Sequence, residues 1–254
     1  MQETIITPTP PDLALYCFAA DRRPKLGSAL QEAAREHPIV FEIFIEHKKH
    51  NSPSTESHLL DVTDLIERFC TRFGVSSNRR VFLLAGAFGH DIGKTELENR
   101  FFETEGKLSD DEFALVSTHA RRGYDWFMGR KGRDRKRIQA NTTERIYAIT
   151  DLAVLAGAHH LPGYPDPKGS DAVYVPDYLQ DDVLILSVAD KIAAQAVPRS
   201  YRLFPLTRAQ VTVNILKDLE ELKRRDVPSL VTTLLDLHPL YANQPALQPL
   251  EYAA

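Results

Sequence analysis

Apolar residues in this chain recur at steps of three and four, and strict polar–apolar alternation never runs longer than about four residues. A half-buried strand requires that alternation, whereas a core-facing helix requires the three-and-four stripe. The chain is therefore expected to be all-α. Val62, Leu65, Ile66, Phe69 and Phe73 form one such stripe, closed by Gly74. It opens at Asn51-Ser52-Pro53, where Ser52 has cap chemistry and proline suits the first helical position. Val81, Leu84, Ala85 and Phe88 mark a second helix, from about Asn78 to Gly89. Ser109 and Glu112 have capping-box spacing, opening a helix through Phe113, Val116, Ala120, Gly123 and Phe127. Asn141 and Glu144 repeat that offset before Ile146, Ile149, Leu152, Ala153 and Ala156. Further helices are expected over 181–196, stopped by Pro198, from Thr207 with Gln210 to about Arg225, and after Pro228. Helical patterning between Ser28 and His50 is interrupted at His37-Pro38, and stretches 95–108 and 161–176 read as loops.

Composition narrows the class. The 254 residues are 43% apolar and 26% charged, with a net charge of −4, as in a globular protein of one domain with a small extension. The longest apolar runs, 81–88 and 183–189, fall far short of the ~20 residues that span a bilayer. The opening MQETIITPTPP lacks a basic region followed by an apolar run, so no secretory signal and a cytoplasmic location are expected. Cys17 and Cys70 have no paired spacing, which argues against a disulfide scaffold and against a cysteine zinc site. The near-balanced charge argues against a general nucleic-acid coat.

Five histidine positions stand out because each lies on, or ends, an apolar helical face. His58 shares the stripe of Val62 and Leu65, and His90-Asp91 ends the Val81–Phe88 helix. His119 follows Val116 by three residues, and His159-His160 ends the helix of Leu152 and Ala156. Asp190 lies inside LILSVADKIAA, where burying a lone carboxylate is costly unless it is paired or metal-bound. Taken singly, each has a plain structural role, as a core histidine, an ion-pair partner or a helix-end pair favoured by the dipole. Together, imidazoles and carboxylates facing one helical core point to iron, manganese or zinc, with a carboxylate able to bridge two ions. In Gly89-His90-Asp91-Ile92-Gly93-Lys94 the flanking glycines are expected to permit a sharp change of direction. Lys94 is expected to bring a cation near a phosphoryl oxygen.

These residues resemble the HD superfamily of metal-dependent phosphohydrolases, and more closely its HD-GYP branch. The resemblance is carried by His58 followed by VTDL, GHDIGK at 89–94, GKLSDDEFALVSTH ending at His119, AGAHH ending at His160, GYP at 163–165, and SVADKIAA around Asp190. The steps of 32 residues from His58 to His90 and 29 from His90 to His119 also fit. The resemblance covers about residues 55–197. It implies a bimetal site in a helical bundle. His58, His90, Asp91 and Asp190 would hold one ion; Asp91 would bridge to a second, completed by His119, His159 and His160. The ions would be iron or manganese, and a metal-activated water would hydrolyse cyclic di-GMP. Lys94 would contact substrate phosphate, with Gly163, Tyr164 and Pro165 forming the loop beside the pocket. The implied organisation is an N-terminal helical extension over 1–50 with a disordered start, a metal-binding core over 51–200, and C-terminal helices over 201–254.

The chain departs from the family pattern around the substrate. Only Leu161-Pro162 separates the paired histidines from Gly163, so the family's ERxDGx segment is missing, and Leu184 stands where an arginine is common. The step from His119 to His159, 40 residues, is longer than usual and contains the basic run GRKGRDRKR at 129–137. That run reads as a solvated loop or as an attraction for an anionic nucleotide, nucleic acid or acidic protein, although it is too poor in aromatics for a nucleic-acid module. Tyr164 and Trp126 are the aromatics considered for stacking on a base, with packing favoured for Trp126. The expected partner is a cyclic dinucleotide or other phosphoester, with no membrane and no nucleic acid. A homodimer formed through the first fifty residues is one expected assembly. The alternatives are an HD phosphohydrolase acting on a mononucleotide or another phosphorylated metabolite, and a non-catalytic cyclic-dinucleotide-binding module.

Overall fold

The computed structural model describes residues 23–50, 53–103, 106–130, 147–160, 173–197 and 204–244. Among these residues every regular element is helical and no strand is present. In chain order they are α1 (Pro24–Glu36), α2 (Ile39–His50), α3 (Pro53–Phe73), α4 (Ser77–Gly89), a 3-10 turn (Ile92–Glu96) and α5 (Arg100–Glu103). Then come α6 (Asp110–Ser117), α7 (His119–Met128), α8 (Ile149–Ala158) and a 3-10 turn (Asp177–Leu179). The chain continues through α9 (Gln180–Ala196), α10 (Arg208–Asp218), a 3-10 turn (Glu220–Leu222) and α11 (Val227–Leu237).

The all-α expectation holds, and so do the start signals at Pro53, Ser109 and Thr207, whereas Asn141 and Glu144 lie outside the described residues and α8 begins at Ile149. Helix α3 begins at Pro53. Ser109 accepts from the Glu112 amide while the Glu112 carboxylate accepts from the Ser109 amide, completing the expected capping box, and Thr207 and Gln210 do the same at α10. Four readings change. The helix expected to run from Ser109 through Phe127 is broken at Thr118, whose hydroxyl donates to the Leu115 carbonyl at 2.7 Å. The expected loop 95–108 contains the end of a 3-10 turn and the single-turn α5. Helix α10 stops at Asp218, and the 3-10 turn after it closes on Lys223 at φ +50. Pro228 lies within the first turn of α11 and does not precede it.

Helix α9 organises the core. Residues 183–190, Ile192 and Ala193 are all buried, so the helix is buried on every side along this stretch and must be surrounded. It packs on α3, α4, α8, α10 and α11. Leu184, standing where the family pattern often has an arginine, is buried in this core. Asp182, also buried, is matched by Arg79 Nε at 2.7 Å. The Cys70 thiol is buried and pushed up to about 12, by desolvation first and by the nearby Glu67 carboxylate second, so it is held as a neutral thiol. No helix among the described residues is long and apolar enough to cross a membrane.

Candidate metal centre

Three backbone segments meet with at most a methyl group between them. A Cβ built on Gly93 would lie 2.0 Å from the His119 carbonyl oxygen and 2.5 Å from the Gly123 amide nitrogen. A Cβ on Gly123 would lie 3.3 Å from Ala156 Cβ and 3.6 Å from the His90 carbonyl oxygen. Hydrogen at these positions lets the 3-10 turn rest on α7 at backbone distance, and α7 on the Ala156 methyl of α8. This stack carries His90-Asp91, His119 and His159 to one point. The expectation for Gly93 is thereby corrected. Its φ is not in the left-handed region, and neither is that of Gly89; the required property is close approach, not unusual backbone angles. The change of direction is made by Asp91 itself, at φ −95 and ψ 13, where α4 hands over to the 3-10 turn.

The side chains converge from four helices and the α4–turn junction. Asp91 presents its two oxygens to different groups. Oδ2 lies 3.3 Å from His90 Nε2, 3.8 Å from His58 Nε2 and 2.5 Å from Lys94 Nζ. Oδ1 lies 3.2 Å from His119 Nε2 and 3.7 Å from His159 Nε2. Asp190, on α9, sets Oδ1 2.9 Å from His58 Nε2 and 3.7 Å from His90 Nε2, with Oδ2 3.8 Å from His160 Nδ1. His160 Nε2 lies 3.0 Å from His119 Nε2. The seven residues named from the sequence as ligands are thus brought together, with Lys94 beside them. Gly163, Tyr164 and Pro165 lie outside the described residues.

Three imidazoles are held in one tautomer by the backbone. His90, His119 and His159 each donate from Nδ1 to the carbonyl three residues earlier, Ala87 at 2.8 Å, Val116 at 2.7 Å and Ala156 at 2.8 Å. A carbonyl only accepts, so Nδ1 carries a proton and Nε2 faces the centre, the orientation a cation needs once Nε2 is deprotonated. His90 Nε2 and Asp91 Oδ1 are buried with no hydrogen-bond partner, a costly arrangement for a purely structural cluster. Asp91, His119, His159 and His160 form one set of mutually close ligand atoms, His58, His90 and Asp91 a second, and His90, His159 and Asp190 a third. The N/O donor set without cysteine suits divalent iron, manganese or zinc.

Electrostatics follow from the crowding of charge in a buried space. Desolvation pushes the Asp91 carboxyl up, but Lys94 and then His90 outweigh it and hold Asp91 well below the usual carboxylate range. Asp190 is held low in the same way, with the neighbouring His58 and then His90 imidazoles overcoming burial. His90 is driven down by burial and up by both carboxylates, which win, raising it to about 10. His159 is lowered to about 3, by burial and then by the charge on His90, and His160 is also held well below its ordinary value. Without a cation the carboxylates draw one proton onto His90 while His159 and His160 stay neutral.

Around this centre the remaining expectations divide. Trp126 is buried edge-on to Phe127, with the Arg130 guanidinium 3.5 Å over its ring, which is a packing role. Of the basic residues, Arg121 pairs with Asp125 at 3.1 Å, Arg122 with Glu96 at 3.2 Å and Arg130 with Glu42 at 3.2 Å. Residues 131–137 of the basic run lie outside the described residues. Phe102, absent from the sequence-based candidates, stands beside Lys94, its ring centroid 5.6 Å from Nζ.

No protein-family profile matches the chain. Over 159 residues it is 31% identical to the 3'3'-cGAMP-specific phosphodiesterase 3 of Vibrio cholerae serotype O1, a match covering 59% of this chain and 29% of the relative. The chain therefore spans well under half the length of that relative. The likeness supports the resemblance of this chain to the HD superfamily of phosphohydrolases.

Proposed function

We propose that this chain is a metal-dependent phosphodiesterase hydrolysing a cyclic dinucleotide, with two divalent ions, iron or manganese, held by His58, His90, Asp91, His119, His159, His160 and Asp190. The observation that carries the reading is the division of Asp91, whose Oδ2 faces His58 and His90 while Oδ1 faces His119 and His159. A carboxylate so divided is suited to bridging two ions. When bound, such ions neutralise phosphodiester charge and lower the pKa of water towards about 7.

The chain's own groups would supply the rest. The backbone carbonyls behind His90, His119 and His159 keep three Nε2 atoms directed inward, so ligation needs no ring reorientation. Lys94, partly exposed at the edge of the buried cluster, offers its ammonium to a non-bridging phosphoryl oxygen. Burial of Asp91 and His90 excludes bulk solvent and strengthens each of these interactions.

The substrate class is supported by the likeness to a phosphodiesterase named for 3'3'-cGAMP, and both 3'3'-cGAMP and cyclic di-GMP fall within it. The short stretch between His160 and Gly163 favours, as a second reading, a mononucleotide or another phosphorylated metabolite. Protein purified anaerobically and loaded with iron or manganese is incubated with 3'3'-cGAMP, cyclic di-GMP and a mononucleotide panel, and products are separated by chromatography. A linear dinucleotide or mononucleotides from a cyclic substrate are expected. Turnover of the mononucleotides alone establishes the second reading; binding of a cyclic dinucleotide without turnover identifies a signalling module instead.

A further inference from the structure

The single-turn helix α5 presents two adjacent phenylalanines with different roles. Phe101 is buried, with the Arg100 guanidinium stacked 4.2 Å from its ring centroid, and so anchors the turn. Phe102 is only half-buried. Its ring lies 5.6 Å from Lys94 Nζ, and that nitrogen lies 2.5 Å from Asp91 Oδ2. Helix α5 also packs on α3, the helix that carries His58. A flat apolar surface therefore stands at the rim of the ligand cluster, next to the cation assigned to phosphate.

In a nucleotide the base is joined to its phosphate through one ribose. A phosphate on the metals and Lys94 would bring an attached base to the neighbourhood of Phe102. The ring already interacts with one cation, and part of its area stays exposed, unlike that of Phe101. We infer that Phe102 forms a base-stacking subsite for the purine nearest the scissile phosphate, resting on the proposed nucleotide substrate. Stacking of this kind is tolerant of base identity, so Phe102 strengthens nucleotide binding without choosing guanine over adenine.

The competing role is mechanical, with Phe102 merely holding Lys94 by its cation–π contact. Substrate comparison separates the two, because a lysine clamp affects every phosphate ligand equally. The full chain loaded with manganese is titrated calorimetrically with GMP and with ribose 5-phosphate, which share phosphate and ribose and differ by the base. Wild-type protein is expected to bind GMP about tenfold more tightly. In Phe102→Leu that ratio falls close to one, and in Phe102→Trp it is restored. A ratio unchanged in Phe102→Leu, or no preference for GMP in the wild type, overturns the subsite. Metal content measured on both variants identifies a folding or loading defect. Hydrolysis of 3'3'-cGAMP is followed separately, so a base preference without turnover sinks the cyclic-dinucleotide reading and leaves the subsite standing.

Discussion

Replacing Gly93 with alanine tests how the centre is assembled. The new Cβ would meet the His119 carbonyl oxygen at 2.0 Å and the Gly123 amide at 2.5 Å, where real contacts are essentially never shorter than 3.0 Å. Both obstacles are backbone atoms of α7, so no side-chain rotation relieves them. Helix α7 must retreat by about 1 Å, beyond the ~0.5 Å within which a ligand constellation keeps its function. Inserting a methyl group into a packed interior costs about 1–3 kcal/mol, and the rigid neighbours place this case at about 3 kcal/mol. For a chain of this length the melting temperature falls by about 6–12 °C, and manganese affinity by at least about tenfold. Gly74→Ala is the control. Gly74 has φ +59 with nothing within 4 Å of its Cβ, so only backbone strain of ~1 kcal/mol applies and metal binding is retained. Calorimetric melting and manganese titration of both variants read the two effects. A Gly93→Ala protein melting within about 2 °C of wild type with unchanged manganese affinity refutes the close-approach argument.

Two further outcomes are expected. Because His90 is raised to about 10 in the metal-free centre, while His159, at about 3, is already neutral, metal uptake near pH 8 should release about one proton from the imidazoles. Affinity should then rise about tenfold per pH unit and level off above about pH 10; the same raised value stabilises the metal-free fold below the unfolded pKa of ~6.5 and loses that contribution as pH rises through the folded one. Titration calorimetry in buffers of different ionisation enthalpy counts the proton, and a count of zero contradicts the assignment. Lys94→Ala should keep its metal and lower kcat/KM on the substrate by about 10²-fold, measured with metal content in parallel; wild-type activity would remove Lys94 from the phosphate.

Much of this was legible in the sequence for physical reasons. Capping boxes at Ser109 and Thr207 are local hydrogen-bond patterns, and apolar stripes such as that of Val62 to Phe73 report burial directly. Histidines at helix ends were visible as chemistry out of place. What escaped was non-local. The Thr118 break depends on a side chain satisfying its own preceding turn, which no periodicity shows. The role of Gly93 depends on what lies across from it, and a turn glycine looks the same in sequence whether it supplies left-handed angles or room. Phe102 was invisible because an aromatic in an expected loop has no pattern; only the position of Lys94 beside it marks it out. The carbonyls that orient His90, His119 and His159 sit three residues upstream in each case, a spacing that could have been read from helix geometry alone.

The central claim is that the converging His and Asp atoms form a bimetal site bridged by Asp91. Its most direct measurement is the metal content of anaerobically purified, iron- or manganese-loaded protein after exhaustive desalting, beside Asp91→Ala, with helical content checked by circular dichroism. About two ions per chain in the wild type, with most of the metal lost from a helical Asp91→Ala protein, is the predicted result. Equal metal content in the two proteins, or none in either, contradicts it.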